Sequence, residues 1–400
     1  MRKVLFCFCS SLLCSVVIGY AQQGKPLDDR NYIQQRAGLQ KAVKVFKQQK
    51  TATVAFLGGS ITYNPGWRNK VAAELQSRFP ATKFHFIAAG IPSLGSLPHA
   101  FRFKRDVLDS GKVDLLFIEA AVNDDANGTD SLTQVRSLEG IIRQAKTQQP
   151  DMDIIMMSFA DPDKTKTYDE GKVPVPVINH ELVAAHYQLP SINLAKAVHD
   201  RMANQEFSWE NDFKDLHPSP FGQELYFKAI QRLLADAIKT QAGNQADEKA
   251  AALPAPLNPA SFSNGHYIGI ENAKISNRWS LPQDWKPEDG KSTRKGFVHI
   301  PMLVSTEPGS ELSLDFTGNA IGLAIVSGPD AGILTYSIDN GPEKQLDLYT
   351  KWSSSLHLPW YLLMGTELKE GQHQLKLTIS SAKNEKSTGN ACRIAYFLGN

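Results

Sequence analysis

The sequence is poor in cysteine. Three of its four cysteines lie within the first 14 residues, and the fourth is Cys392. A chain that loses its first segment keeps one cysteine, which excludes an internal disulfide. Cys392 lies in the apolar stretch CRIAYFLG, so we interpret it as a small buried side chain in a strand rather than as a reactive thiol.

Long apolar runs are also missing after the first 20 residues, and no later stretch reaches the ~18 apolar residues of a membrane-spanning helix. The chain begins with two basic residues, Arg2 and Lys3, continues with an apolar run, and places Gly19 and Ala21 where a signal peptidase requires small residues. We therefore interpret residues 1–21 as a signal peptide cleaved after Ala21. The mature protein is expected to be secreted or periplasmic, with no membrane span.

An excess of charge of either sign is absent. Without Arg2 and Lys3 the 43 basic residues fall to 41, which equals the 41 acidic residues. The sequence contains neither a basic block nor an alternation of basic and aromatic residues, the patterns typical of proteins that bind a phosphate backbone. Nucleic acid is therefore excluded as a partner. No cluster has metal-ligand spacing, and neither a metal nor a cofactor is expected. The oligomeric state stays open.

Short apolar runs alternate with helix-like segments from Thr51 to about Lys239. This alternation is typical of strand-helix-strand units around a mostly parallel sheet, and it predicts an α/β domain over residues 22–240. The predicted strands are TVAFL, KFHFIAA, VDLLFIEA, MDIIMMSF and PSINLA.

The composition changes after this domain. Residues 241–260 are rich in Ala, Pro, Asn and Gln and are interpreted as a linker or an extended strap. From residue 261 the apolar pattern has a period of two, with turn signals such as Asn264-Gly265 and Asn340-Gly341. Residues 261–400 are therefore predicted to form an accessory β-sandwich domain.

Four polar segments of the first domain fall where strands should end, which is where open α/β sheets build their sites. They are GGSIT (58–62), AAGIPSLGS (88–96), AAVNDDA (120–126) and DLHPSPFG (215–222). In order and spacing this set resembles the SGNH branch of the GDSL hydrolase family, over roughly half the chain. The resemblance implies a three-layer α/β fold with a mostly parallel sheet, followed here by a β-sandwich of jelly-roll type, and a carboxylic ester hydrolase activity.

Ser60 takes the place of the family's nucleophile. Gly58 and Gly59 permit a tight turn that leaves a substrate carbonyl free to approach, and the position opens a helix, although a plain helix cap explains the motif alone equally well. A serine hydroxyl needs a base, and the resemblance implies that His217 removes its proton. Pro218 and Pro220 stiffen the loop that carries this histidine.

The acid that orients the histidine departs from the family pattern. The family places it three residues before the histidine, and that position is Lys214. Asp215 lies two residues before His217 and would project to the same side in an extended loop, so it is the preferred candidate. Asp212, or a pair without a strong acid, remains the alternative.

The resemblance implies oxyanion donors from three segments: the N–H of Ser60, an N–H in the second segment, and the amide of Asn123. Ser93 stands where the family usually has its donor glycine and Gly95 lies two residues further on, so the choice between Ser93 and Gly95 is open. Gly59 replaces the aspartate of the family's Gly-Asp-Ser signature.

Three further acids, Glu119, Asp124 and Asp125, lie at or just after the end of the third strand. Residues so close together at one strand end rarely flank a bond from opposite sides, which argues against a two-carboxylate glycosidase. We interpret them as solvated loop carboxylates.

The preferred function is an exported serine esterase that removes O-acetyl groups, or as a second choice methyl esters, from a polysaccharide or oligosaccharide. Four tryptophans of the second domain could stack on sugar rings, with core packing as the default interpretation. The alternatives are a lipid-class esterase or lysophospholipase with the same triad, and a non-catalytic glycan-binding protein.

Overall fold

The computed structural model describes residues 25–241 and 252–400. The predicted signal peptide, 1–21, and residues 242–251 of the predicted linker lie outside the described residues. No helix within the described ranges is both long and apolar enough to cross a membrane.

The first part of the chain is an α/β domain. Its strands are β1 Ile33–Gln34, β2 Thr51–Gly58, β3 Lys83–Gly90, β4 Leu115–Glu119, β5 Asp153–Ser158 and β6 Ser191–Asn193. Its helices are α1 Gln40–Gln48, α2 Ser60–Tyr63, α3 Trp67–Arg78, α4 Ser96–Asp106, α5 Ala121–Ala126, α6 Ser131–Gln148, α7 Pro162–Asp169, α8 Val175–His186, α9 Leu194–Ala203 and α10 Pro220–Gln241.

The sheet has the order β1-β6-β5-β4-β2-β3 and is parallel except for β1, which pairs antiparallel with β6. The predicted mostly parallel sheet is confirmed, and every predicted strand overlaps an observed one. From β2 the chain adds β3 on one side and then β4 on the other. The ends of β2 and β4 therefore frame the switch point at which such sheets bind ligands.

Helices cover both faces of the sheet because side chains alternate along each strand. In β2, Val54 and Phe56 face a cluster with apolar residues of α1, α3, α9 and α10. Ala55 and Leu57 face the opposite cluster, with residues of α4, α6 and α8. The three-layer arrangement follows from this alternation.

The second part of the chain is β-rich. Its strands are β7 His266–Ile268, β8 Lys274–Ile275, β9 Ser292–Thr293, β10 Leu303–Ser305, β11 Glu311–Gly318, β12 Ile321–Ser327, β13 Ile333–Ile338, β14 Lys344–Asp347, β15 Leu356–Gly365, β16 Gly371–Ile379 and β17 Cys392–Gly399. They form two sheets, β10-β17-β12-β15-β9, with β7 on β17, and β14-β13-β16-β11-β8. Apolar residues of both sheets share one core, which gives a sandwich. Cys392 is buried in β17, as predicted.

The two parts pack directly against each other. One apolar cluster contains Phe101 and Ile141 of the α/β domain together with Phe262, Phe297 and Tyr361 of the β-rich part. Residues 252–260 lie along α6 as a strap, where Glu139 accepts hydrogen bonds from the backbone N–H groups of residues 257 and 258. One apolar cluster thus joins the two parts. The domain boundaries, placed by the sequence at residues 240 and 260, remain a prediction.

Candidate active site

Ser60 begins α2, and only Gly59 separates it from the end of β2 at Gly58. Gly90, at the end of the neighbouring β3, lies so close to the α2 backbone that a β-carbon there would be 2.5 Å from the N of Tyr63. Glycine at the end of β3 thus allows the short helix to lie across the strand ends. Ser60 is half-buried at the carboxyl edge of the sheet, beside the switch point.

His217 lies 157 positions after Ser60 in the sequence, and the fold places the two side chains together. Its Nε2 lies 2.8 Å from Oγ of Ser60, which is hydrogen-bonding distance. The loop of His217 is fixed by Gln223 in α10, whose amide donates to the carbonyl of Pro218 (3.4 Å) and whose oxygen accepts from the N–H of Trp67 (2.9 Å). The structure thus brings together the two residues on which the sequence interpretation depends most.

The acid nearest the imidazole is Asp215. Its Oδ1 lies 3.6 Å from Nδ1 of His217 and accepts the backbone N–H of His217 at 3.1 Å. Asp212 instead accepts from the N–H of Ser208 (2.9 Å) and closes the π-helical turn Trp209–Phe213. The structure therefore brings Asp215 to the histidine and leaves Asp212 in a local turn. Both side chains of the Asp215–His217 pair are exposed, at 64% and 45%.

Asn123 lies in the first turn of α5, directly after β4, and is 8% exposed. Its side-chain amide nitrogen occupies the space beside Gly59 where a β-carbon would otherwise be. The amide therefore lies against the residue that precedes Ser60. This position suits a donor to an oxyanion formed on an ester carbonyl attacked by Ser60.

The second segment enters α4 through Ser93 and Gly95. Ser93 has a φ of 71°, the left-handed region that non-glycine residues rarely adopt, and its carbonyl accepts from the side chain of Asn127 at 2.9 Å. Gly95 has no room for a side chain, because a β-carbon would overlap Oδ1 of Asp124. Neither backbone N–H has a hydrogen-bond partner among the described residues, so both candidate donors remain available.

Two of the three acids interpreted as solvated are buried, so that interpretation is wrong for them: Glu119 is 1% exposed and Asp124 0%. Burial raises the pKa of each to about 7, because a carboxylate loses its hydration there. Asp125 is exposed, as expected. Asp124 Oδ1 accepts from the N–H (2.7 Å) and hydroxyl (2.9 Å) of Ser96, which ties the start of α4 to the residue after Asn123.

Sequence reasoning missed two supports of the site. The first is Asp124, because the acidic run NDD looks like a loop. The second is Arg102 in α4, fully buried, whose Nη2 donates to the carbonyls of Gly58 (3.2 Å) and Ala89 (2.7 Å) at the ends of β2 and β3. A single arginine within an amphipathic helix carries no signal of this role.

Within residues 25–241 and 252–400, no group of three or more His, Cys, Asp or Glu side chains could hold a metal ion. The chemistry visible at the strand ends is that of a hydroxyl beside an imidazole, with an amide and free backbone N–H groups nearby. This arrangement can deprotonate a nucleophile and stabilise negative charge on an attacked carbonyl.

Several known proteins are similar to this chain. Residues 56–225 match the model of the GDSL-like Lipase/Acylhydrolase family. No curated protein sequence matches the chain. A two-domain esterase (CEX) active on acetylated mannans, solved alone and co-crystallised with mannopentaose, superimposes with a TM-score of 0.75 and 20% identity. The alignment with the mannopentaose complex covers 93% of this chain and 97% of that chain.

Smaller structures also match. Axe2, an acetylxylan esterase from Geobacillus stearothermophilus, gives a TM-score of 0.38 and 18% identity over 46% of this chain and 94% of that chain. The lipase/acylhydrolase from Enterococcus faecalis gives a TM-score of 0.38 and 22% identity over 49% of this chain and 100% of that chain.

The fold and the site define an α/β protein with its polar cluster at the switch point of a parallel sheet, joined to a β-sandwich. Residues 56–225 of the α/β domain are similar to the GDSL-like lipase/acylhydrolase family.

Proposed function

We propose that this protein is an exported serine esterase that removes O-acetyl groups from a polysaccharide or oligosaccharide through an acyl-enzyme on Ser60. The observation that carries the proposal is the 2.8 Å contact between Oγ of Ser60 and Nε2 of His217. A serine in such contact with a histidine has the base that its hydroxyl needs.

The first half of the reaction forms the acyl-enzyme. Nε2 of His217 accepts the Ser60 proton while Oγ attacks the acetyl carbonyl carbon, and the carbonyl π pair moves onto oxygen. The amide of Asn123 and the N–H of Ser60, with an N–H of Ser93 or Gly95, donate to that oxyanion. When the carbonyl re-forms, the C–O bond to the sugar breaks, and the imidazolium gives its proton to the sugar oxygen.

The second half releases acetate. His217 removes a proton from a water molecule, whose oxygen attacks the acyl carbon, and the collapse of the second oxyanion breaks the bond to Oγ. The proton returns from His217 to Ser60. While His217 is neutral, Asp215 favours the imidazole tautomer with the ring proton on Nδ1. Nε2 is then free to accept a proton from Ser60 or from water.

A carbohydrate substrate is supported by the likeness to the two-domain esterase, which is active on acetylated mannans. The polar segments beside the site, YNPGWRN and NDDANGTD, support it as well, since a lipid esterase requires an apolar surface for the acyl chain. Of the four tryptophans considered for stacking, Trp279 and Trp285 are buried, Trp360 is half-buried, and Trp352 is 40% exposed. Export is proposed from the signal-peptide pattern alone. N-terminal sequencing of the mature protein should give Gln22 as its first residue.

The experiment is acetate release from a panel of native acetylated polysaccharides, with Ser60→Ala and His217→Ala as controls. We expect release by the wild type on at least one polysaccharide and a loss of roughly a thousandfold or more in each variant. A preference for p-nitrophenyl esters of about eight carbons or more, with no acetate release, would favour the lipid-class esterase. A wild type inert on every ester but retained by a glycan matrix would favour the non-catalytic alternative.

A further inference from the structure

One short segment of the β-rich part forms a hydrogen bond with the candidate oxyanion loop. Nε of Arg294 donates to Oγ of Ser93 at 3.3 Å, across 201 positions of sequence. The next residue, Lys295, places its Nζ 5.8 Å from the ring centroid of Tyr63 in α2. Residues 294–295 therefore span the two segments of the α/β domain that carry Ser93 and Ser60.

Arg294 is held by the sandwich itself. It directly follows β9, which pairs parallel with the first residues of β15, and its backbone N–H donates to the carbonyl of His357 at 3.2 Å. His357 is 2% exposed, and its Nε2 lies 2.9 Å from Oδ2 of Asp289. The guanidinium thus extends from a segment anchored to a sheet of the second part.

Ser93 is the residue in this loop that needs support. Its φ of 71° would suit a glycine, which is what the family usually has at this position, whereas a side chain makes that conformation unfavourable. Two hydrogen bonds hold it: Asn127 donates to its carbonyl at 2.9 Å, and Arg294 donates to its hydroxyl. The serine hydroxyl gives the second part of the chain a group to bind that glycine would lack.

We propose that Arg294 is a positioning residue for ester hydrolysis: through Oγ of Ser93 it holds the loop from Ser93 to Gly95 in the conformation that presents a backbone N–H to the oxyanion. The inference rests on the proposed function and deepens it, because it makes the rate of the chemical step depend on the β-rich part. Arg294 itself need not touch the substrate.

The test uses the full chain and p-nitrophenyl acetate, a substrate too small to depend on glycan contacts. Arg294→Ala and Ser93→Ala should each lower kcat by about fivefold to twentyfold, with KM changed less than about twofold, since a hydrogen bond that aligns a donor is lost. The double variant should be no slower than the slower single variant, because both substitutions remove the same contact. Arg294→Lys should recover part of the loss.

Lys295→Ala is the matched control, because it removes the neighbouring cation that faces Tyr63 and leaves Ser93 untouched. It should keep kcat within about twofold of the wild type. Thermal unfolding of every variant separates a rate effect from a loss of folded protein. If Arg294→Ala does not fold, Ser93→Ala and Arg294→Lys carry the same comparison.

An active wild type whose Arg294→Ala variant keeps its kcat on p-nitrophenyl acetate would overturn the inference and leave the proposed function intact. A variant that raises KM only for the polysaccharide would also overturn it, since Arg294 would then bind substrate. Additive losses in the double variant would show that the two residues act separately. A wild type inert on all esters would overturn the proposed function and this inference together.

Discussion

The side-chain amide of Asn123 fills the space next to Gly59 that a β-carbon on residue 59 would occupy. The family signature has an aspartate at this position, so its replacement by glycine could be taken for a loss. Here the missing side chain instead lets the Asn123 amide lie against the residue before Ser60. Glycine at position 59 is therefore what permits the close approach of the Asn123 amide.

Gly59→Ala should therefore slow the chemical step. The new methyl group would displace the Asn123 amide from the oxyanion position, and we expect kcat on p-nitrophenyl acetate to fall about a hundredfold with little change in KM. The φ of residue 59 is −88°, which alanine can adopt, so the effect should come from the contact rather than from backbone strain.

Asn123→Ala provides the control for that substitution. If Gly59→Ala acts by moving the amide, the double variant should be no slower than Asn123→Ala alone. A further large loss in the double variant would contradict this explanation and would place the effect of Gly59 elsewhere, for example on Ser60.

The two candidate acids should separate by kinetics. Asp215→Ala should lower kcat by roughly tenfold to a hundredfold, a moderate loss because the carboxylate is exposed and 3.6 Å from Nδ1 of His217. Asp212→Ala should keep kcat within about threefold but lower the melting temperature, because Asp212 holds the turn at Ser208 through a 2.9 Å hydrogen bond. The reverse order of kcat losses would assign the orienting role to Asp212.

Asp124 should make the stability depend on pH. Burial raises its pKa from 3.8 to about 7, chiefly by desolvation and against the opposing pull of Ser96 and Lys164, so the folded protein keeps a proton that the unfolded chain releases. Its contribution to stability is thus fully present below pH 3.8 and is lost as the pH rises towards 7. Asp124→Asn cannot lose a proton, and its stability relative to the wild type should rise with pH.

Urea unfolding at pH 5 and pH 7.5 measures this difference. Relative to the wild type, Asp124→Asn should gain about 2 kcal/mol between the two pH values. Asp125→Asn is the control, because that neighbouring carboxyl is exposed in the folded protein. A flat difference for Asp124→Asn would mean that the buried carboxyl is ionised at both pH values.

Much of the α/β domain could be predicted because its central strands, β4 and β5, are buried on both faces. Runs such as VDLLFIEA are continuous apolar segments, and their ends carry the glycines and polar residues that form the site. Ser60 and His217 were found for the same reason: each lies where a strand ends or the last helix begins. The two-residue strand β1 was too short to leave a pattern.

What the sequence did not reveal depends on contacts between distant segments. Asp124 looks solvated beside Asp125, and only the packing of α4 against α5 buries one carboxyl and leaves the other exposed. Arg102 and Arg294 look like ordinary surface cations, yet one holds the ends of β2 and β3 and the other reaches Ser93 from the sandwich. A local sequence pattern predicts the secondary structure of a segment. It does not predict which distant segment will contact it.

The most direct test of the central claim, that Ser60 activated by His217 is the nucleophile, is covalent labelling with a fluorophosphonate followed by peptide mapping. We expect one adduct, on Ser60, formed in step with the loss of esterase activity, and labelling at least about a hundredfold slower in His217→Ala. An adduct on another residue of an enzyme that is thereby inactivated, or esterase activity retained by Ser60→Ala, would contradict the claim.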